Sequence, residues 1–262
     1  MTSVEPADRN PFDFSGATAL VLGGASGLGR AMAEGLAQHG ASVCIVSRSE
    51  EKARASAAAI AQRFDGRCSA CAADVSNEES VSRLRDAVDK LFAGTLNIAV
   101  NSAGINIRNP IERISLDEWE SIQRVNSTGA FLFARGMFPL LRRAGWGRLI
   151  NITSIFASRS YPGRTSYASS KGALLQLTRT LAVEWAGENI TVNAISPGLF
   201  MTDMTRPILN NPESYRRFCE NIPLARFAEP REIVTACLFL ASSASTYVTG
   251  AEIVVDGGWM AT

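Results

Sequence analysis

Histidine is almost missing from this 262-residue chain, which contains His39 and no other. That residue precedes Gly40 at the end of a helical pattern, where a C-terminal cap or a partner for the helix dipole is its natural role. Histidine triads and histidine-rich metal sites are thereby excluded, and acid–base chemistry falls to carboxylates, lysine or tyrosine. Lysine is nearly as scarce: Lys52, Lys90 and Lys171 are the only three among 26 basic residues. Cysteines number five, an odd count, and Met1 to Asn10 lacks the cationic-then-apolar pattern of a secretory leader. Both points argue against a disulfide framework. Cys68-Ser-Ala-Cys71 has no second pair to complete a metal site and sits in a stretch that reads as strand, so neither metal nor redox work is assigned to it. No apolar run is long enough to span a bilayer. A formal net charge of +1 gives no footprint for nucleic acid or an anionic membrane. The expected location is the cytoplasm.

What is present is an ordinary globular composition, 46% hydrophobic with mean hydropathy near zero, and enough chain for a large core. Short apolar runs at Thr18–Leu22, Ser42–Val46, Cys68–Ala72, Leu96–Val100, Arg148–Ile152, Thr191–Ile195 and Glu252–Val255 read as buried parallel strands. Helical patterns fall between them. They follow Gly29, span about Glu50 to Phe64 and Glu78 to Phe92, form one long helix from about Leu116 to Arg142, carry Tyr167 to about Ala186, and cover Pro230 to Leu240. Repeated β-α-β without a linker or repeat predicts one α/β domain over residues 1–262, a doubly wound Rossmann-type parallel sheet of about seven strands with helices on both faces. Residues 1–13 read as a loose arm and 197–225 as an irregular segment on the substrate side.

Ligands of such sheets bind outside the carboxyl ends of the strands. The residues there are Gly23 to Gly29, Ser47-Arg48, Asp74, Asn101 to Gly104, Thr153-Ser154 and Pro197-Gly198, a small, polar, glycine-rich set. Gly23-x-x-x-Gly27-x-Gly29 follows the first strand and opens a helix, which suits a tight turn, close backbone approach to a pyrophosphate and a helix N-terminus aimed at negative charge. Tyr167 and Lys171 are four apart, on one face of a helix. Bringing a phenol from about 10 toward 7 needs about 4 kcal/mol. An ammonium about 5 Å away supplies roughly 3 kcal/mol at an effective dielectric of 20. The pair can therefore make Tyr167 a proton donor and acceptor near neutrality; a solvated helical pair is the bland alternative.

Leu22-Gly-Gly-Ala-Ser-Gly-Leu-Gly29, Asn101-Ser-Ala-Gly104, Asn126, Ser154, Tyr167-x-x-x-Lys171 and Pro197-Gly198-x-x-x-Thr202, in this order, resemble the classical short-chain dehydrogenase/reductase family from about Thr18 to Gly258. Two positions depart from its usual pattern: Leu22 stands where threonine is common, and Ser102 where a second asparagine is. Weaker polar bracing of the glycine-rich turn is expected there. The resemblance implies Tyr167 as general acid/base, Lys171 lowering its pKa and holding the nicotinamide ribose, Ser154 on the substrate oxygen, and Asn126 in a proton path to solvent. It also implies an NAD(P) cofactor bound by Gly23, Ser26, Gly27, Leu28, Gly29, Ser47, Arg48, Asp74, Val75, Asn101, Ala103, Gly104, Tyr167, Lys171, Pro197, Gly198 and Thr202. Homotetramers or homodimers are common among its members, with Trp185, Val254 and Trp259 as candidate contacts.

At the end of the second strand stand Ser47 and Arg48 where enzymes using NAD usually carry an acid. A hydroxyl and a guanidinium fork suit a 2′-phosphate, so NADP is favoured over NAD. Ser154, Phe156, Tyr167 and Phe200 are expected to touch substrate, with Ile155, Tyr161 and the stretch to Arg206 nearby. Arg108, Arg159, Arg164 and Arg206 are candidates for a carboxylate clamp. The stretch from Pro197 is similar to gluconate 5-dehydrogenases and, less closely, to 3-oxoacyl-carrier-protein reductases. The expected activity is alcohol–ketone interconversion on a sugar acid or small polar ketone. The alternatives are 3-oxoacyl thioester reduction, or a non-catalytic nucleotide-binding regulator on the same fold.

Overall fold

The computed structural model describes residues 10–262. In its first half strands and helices alternate: β1 Thr18–Leu22, α1 Gly27–Gln38, β2 Ser42–Ser47, α2 Glu50–Arg63, β3 Cys68–Ala72, α3 Glu78–Leu91 and β4 Ile98–Asn101. Then come α4 Leu116–Gln123, α5 Gly129–Arg143, β5 Gly147–Ile152, α6 Thr165–Trp185, β6 Ile190–Pro197, α7 Arg206–Leu209, α8 Pro212–Cys219, α9 Val234–Ala241 and β7 Glu252–Val255. The seven strands form one parallel sheet in the order β3-β2-β1-β4-β5-β6-β7. The order reverses between β1 and β4, which opens a crevice at the carboxyl ends of those strands.

Strand periodicity of two explains how continuous apolar runs serve two cores. Ala19, Val21, Val43, Ile45, Ile98 and Val100 pack with Met32 and Leu36 of α1, Ile60 of α2 and Leu240 of α9. Leu20, Leu22, Cys44, Val46 and Ala99 face the other way, onto Leu84 of α3, Phe133 and Met137 of α5 and Trp185 of α6. Cys68 and Cys71, three apart on β3, fall on opposite faces, so the Cys-x-x-Cys spacing does not bring the two thiols together. Cys71 instead meets Cys44 of the next strand, sulfur to sulfur at 3.6 Å, and all five cysteines are free. His39 caps α1, its Nδ1 2.8 Å from the Gly35 carbonyl oxygen.

Three expectations change. The long helix from Leu116 to Arg142 is two helices joined by a π-helical turn at Arg124–Thr128. The irregular segment after Pro197 contains α7 and α8, and the helix expected from Pro230 begins as a 3-10 turn, Pro230–Ile233. Most of the loose arm lies outside the described residues. Its last part forms a turn in which Phe12 N donates to Asn10 Oδ1 (3.1 Å) and Phe12 packs against the core. No helix among the described residues is long and apolar enough to cross a membrane.

Candidate active site

A cleft of about 350 Å³ runs along the crevice and gathers the glycine-rich turn, the ends of β2, β4, β5 and β6, and the first turns of α6. Gly23 turns the chain out of β1 at φ +77°, and a Cβ there would lie 2.9 Å from the Ser102 carbonyl. Only glycine permits that approach without strain. Bracing of the turn is by backbone: Gly23 N donates to Val46 O and Ser102 N to Leu22 O, both at 2.9 Å. Leu22 contributes core packing in place of a hydroxyl. The N-terminus of α1 is left open. Ser26 makes no side-chain cap and no acid stands in the first turn, whereas α2, α3 and α4 are capped by Ser49, Asn77 and Ser115 and carry first-turn acids. Uncapped N–H groups at the positive end of a twelve-residue helix fit a phosphate group.

Beyond that turn, Ser47, Arg48, Asp74 and Val75 line the same cleft. Arg48 is exposed and enters no ion pair among the described residues. The Asp74 carboxylate accepts from Ser76 Oγ (2.6 Å) and Ser76 N (2.9 Å), and these bonds together with the Arg48 charge hold it below the usual carboxylate range. At the other end Ala103, Gly104, Pro197, Gly198 and Thr202 also reach the cleft. Asn101 does not. Its amide turns into the sheet and donates to Asn151 Oδ1 (3.2 Å), and Asn151 donates on to Thr178 Oγ1 (3.0 Å).

Tyr167 and Lys171 sit on the first two turns of α6, with Ser154 just past β5. Both α6 side chains are buried, at 8% and 3% exposure. The Lys171 ammonium donates to Ile152 O at 2.8 Å, and burial lowers its pKa to about 8. Burial pushes the Tyr167 phenol above its ordinary 10, against the pull of the Ser154 hydroxyl and the charges of Arg164 and Arg108. Desolvation outweighs attraction, and the opposing charges come from arginines on two loops. Asn126 lies in the π turn, and such turns favour functional positions. It is 1% exposed; its amide accepts from Ile105 N (2.9 Å) and donates to Ile105 O and Ser170 Oγ (both 3.0 Å). It thus clamps the loop after β4 to α6 without lining the cleft itself.

On the substrate side Phe200 lines the cleft, while Phe156 packs behind it against Tyr161 and Trp259, with ring centroids 6.0 and 6.2 Å away. Arg159 donates to the carbonyls of Trp259 (2.8 Å) and Thr262 (2.7 Å), and Arg206 pairs with Asp203 at the surface, so neither is free to clamp a substrate. Trp185 and Trp259 are core residues and leave Val254, 40% exposed, as the remaining candidate for subunit contact. Met204 and Thr205, within the stretch to Arg206 expected near the substrate, line the cleft. The Thr205 hydroxyl ties its own segment together, donating to Phe200 O at 2.5 Å. Thr153, also in the cleft wall, bonds Ser196 Oγ (2.5 Å), which donates to Glu252 (2.6 Å). It stands where the strand-end reading of Thr153-Ser154 places it.

A phenol, a hydroxyl and an ammonium beside a glycine-rich turn that fits a phosphate can polarise a carbonyl and exchange a proton with its oxygen. The family model described as enoyl-(acyl carrier protein) reductase matches residues 23–260. A 3-oxoacyl-[acyl-carrier-protein] reductase of Aquifex aeolicus is 37% identical over 243 residues, 93% of this chain and 97% of that protein. Among solved structures, the Pseudomonas aeruginosa RhlG/NADP active-site complex superposes with a TM-score of 0.90 at 37% identity, covering 96% of this chain and 99% of that one. A gluconate 5-dehydrogenase from Burkholderia cenocepacia in complex with NADP and tartrate gives 0.91 at 33% identity, covering 96% and 98%. With this fold, this cleft and these relatives, the chain belongs to the classical short-chain dehydrogenase/reductase family and is an oxidoreductase of the nicotinamide-dependent kind.

Proposed function

We propose that the protein interconverts a secondary alcohol and a ketone, acting on the CH–OH group, with NADP preferred over NAD. The observation that carries this reading is the convergence of Ser154, Tyr167 and Lys171 in one cleft with the open N-terminus of α1. A bound nicotinamide supplies the hydride to a ketone or accepts it from an alcohol. Ser154 holds the substrate oxygen, and Tyr167 donates a proton to it as negative charge builds. The same phenol serves both directions, giving its proton to the oxygen in reduction and taking it back in oxidation. Lys171, a compact charge, holds the ribose hydroxyls and steadies the phenolate left after proton transfer. Asn126 fixes the loop at Ile105, and its match to the family's motif supports a part in the proton path to solvent.

Gly23, Ser26, Gly27, Leu28 and Gly29 take the pyrophosphate, Asp74 and Val75 the adenine, and Ala103, Gly104, Pro197, Gly198 and Thr202 the nicotinamide end. Arg48, without an ion pair among the described residues and beside Ser47, favours a 2′-phosphate. We read residues 1–262 as one domain whose segment 197–225 walls the substrate side with Phe200, backed by Phe156. A sugar acid or another small polar ketone is the favoured substrate, supported by likeness to the gluconate 5-dehydrogenase. Likeness to the Aquifex reductase supports a 3-oxoacyl thioester as the second reading. A regulator without activity would have no need of the intact Ser154, Tyr167 and Lys171 set. The five free thiols suit a cytoplasmic setting, and a homotetramer or homodimer would cover exposed apolar residues such as Val183 and Val254.

A steady-state screen of sugar acids, 3-oxoacyl thioesters, cyclic ketones and steroids with NADPH and NADH tests the proposal. Turnover of a ketone with at least a severalfold preference for NADPH is expected. No turnover of any ketone with either cofactor would refute it.

A further inference from the structure

We infer that Arg164 and Arg108 form an anion site on the substrate side of Tyr167, and that the ketone bound there carries a carboxylate. The inference rests on the alcohol–ketone reading above and names the substrate class within it. Arg164 is the residue before α6, three positions ahead of Tyr167, and is 4% exposed. Its Nη1 is buried without a hydrogen-bond partner among the described residues. Its guanidinium lies over the Phe156 ring, 5.6 Å from the centroid, which fixes the plane of the fork without supplying any counter-charge.

Arg108 comes from the facing loop. A Cβ on Gly163 would lie 3.9 Å from the backbone of Asn109, so the two loops meet at the residues next to the arginines. Arg108 Nη2 donates to Met204 O (2.9 Å), which fastens it to the cleft wall. Neither arginine enters an ion pair among the described residues. Of the carboxylates in the flanking segments, Glu118 accepts from Ser115 N and Asn109, Asp203 pairs with Arg206, and the exposed Glu112 and Asp117 form no ion pair with either arginine. Burial, with the Arg108 charge added to it, lowers Arg164 to about 10, and both arginine charges act on Tyr167.

A buried cation beside a second cation, with a free N–H and no acid, is costly to keep unless its counter-charge arrives with a ligand. The cofactor phosphates do not fill this role, because the open helix N-terminus that suits them is at α1, while Arg164 lies over Phe156, which packs with Tyr161 and Trp259. A carboxylate matches the arginine fork in shape and charge. Both arginine charges reach Tyr167, so a keto acid whose carboxylate they hold can present its carbonyl to that phenol. A 3-oxoacyl thioester has no charge close to its ketone and leaves the guanidinium unpaired.

The test is calorimetric titration of the NADP⁺-loaded enzyme with acetoacetate, 4-oxopentanoate, 5-oxohexanoate and 5-keto-D-gluconate, each against its methyl ester. NADPH oxidation is followed for the same set. At least one acid is expected to bind about tenfold or more tightly than its ester, a ratio typical of one charge-assisted hydrogen bond in a dry site. In Arg164→Gln the ratio should fall to about one, with NADP⁺ binding retained as the sign of an intact fold. Arg108→Gln should lower it part of the way. No acid outbinding its ester, or an advantage that survives Arg164→Gln, would overturn the inference. The two readings fail separately. Esters reduced as well as acids, dependent on Tyr167, would remove the anion site alone. Acids bound through Arg164 with no ketone ever reduced would leave the anion site and remove the activity.

Discussion

Lys171 offers a way to read the electrostatics of the cleft without any substrate. Burial at 3% exposure lowers its pKa from 10.5 to about 8. Between those values the unfolded chain holds the proton more tightly than the fold, so stability rises with pH across that window. Moving from pH 7 to pH 9.5 adds roughly 2 kcal/mol through this group alone. Other groups work against it. Burial pushes Cys68 and Cys237 up to about 12, so their unfolded thiols ionise first and stability falls as pH rises. The raised Tyr167 acts in the same sense near the top of the range. Those contributions, and the loss of about 1–3 kcal/mol when Ile152 O loses its donor, are common to both pH values or both proteins and cancel in a double difference. Urea unfolding of the wild type and Lys171→Met at pH 7 and 9.5, followed by tryptophan fluorescence, measures it. The wild type should gain about 2 kcal/mol more than the variant between the two pH values. Equal changes in the two proteins would refute a lysine held below its ordinary range by burial.

Two further substitutions probe the cofactor end. A Cβ in Gly29→Ala would overlap the Gly23 carbonyl oxygen, so the turn must open. NADPH binding measured by fluorescence should weaken by about tenfold or more, a cost of roughly 1.4 kcal/mol or above, with a lowered Tm. Arg48→Glu places a carboxylate where a 2′-phosphate would be bound. The ratio of kcat/KM for NADPH over NADH should fall by about tenfold or more, and an unchanged ratio would remove Arg48 from cofactor choice.

The sheet was legible because a parallel strand covered on both faces reads as an unbroken apolar run. Thr18–Leu22, Cys68–Ala72 and Glu252–Val255 have the bounds expected of them. The strand-end rule then located the glycine-rich turn, Ser47, Arg48, Asp74, Ser154 and the Pro197-Gly198 corner, all of which line the cleft. The π turn around Asn126 was hidden, because one extra residue inside a helix barely disturbs apolar periodicity over Leu116 to Arg142. Helix α8 carried a readable signal in Asn211-Pro212, a cap followed by proline at the first position, with Ser214 N donating to Asn211 Oδ1 at 2.9 Å. The fate of the loop arginines was not readable. Arg159, Arg164 and Arg206 look alike in sequence, and only tertiary packing makes one a tether for C-terminal carbonyls, one a surface ion pair and one a buried, unpaired charge. At Tyr167, spacing supplied the neighbouring lysine but not the desolvation of both groups.

The central claim is that Tyr167 passes the proton in a ketone–alcohol interconversion. The direct measurement is kcat/KM of Tyr167→Phe beside NADPH affinity, on a ketone that the wild type reduces. Removing the hydroxyl takes away only the proton donor, so turnover should fall by about 10²–10⁴-fold while NADPH affinity stays within a few-fold. Turnover close to the wild type in that variant would contradict the account.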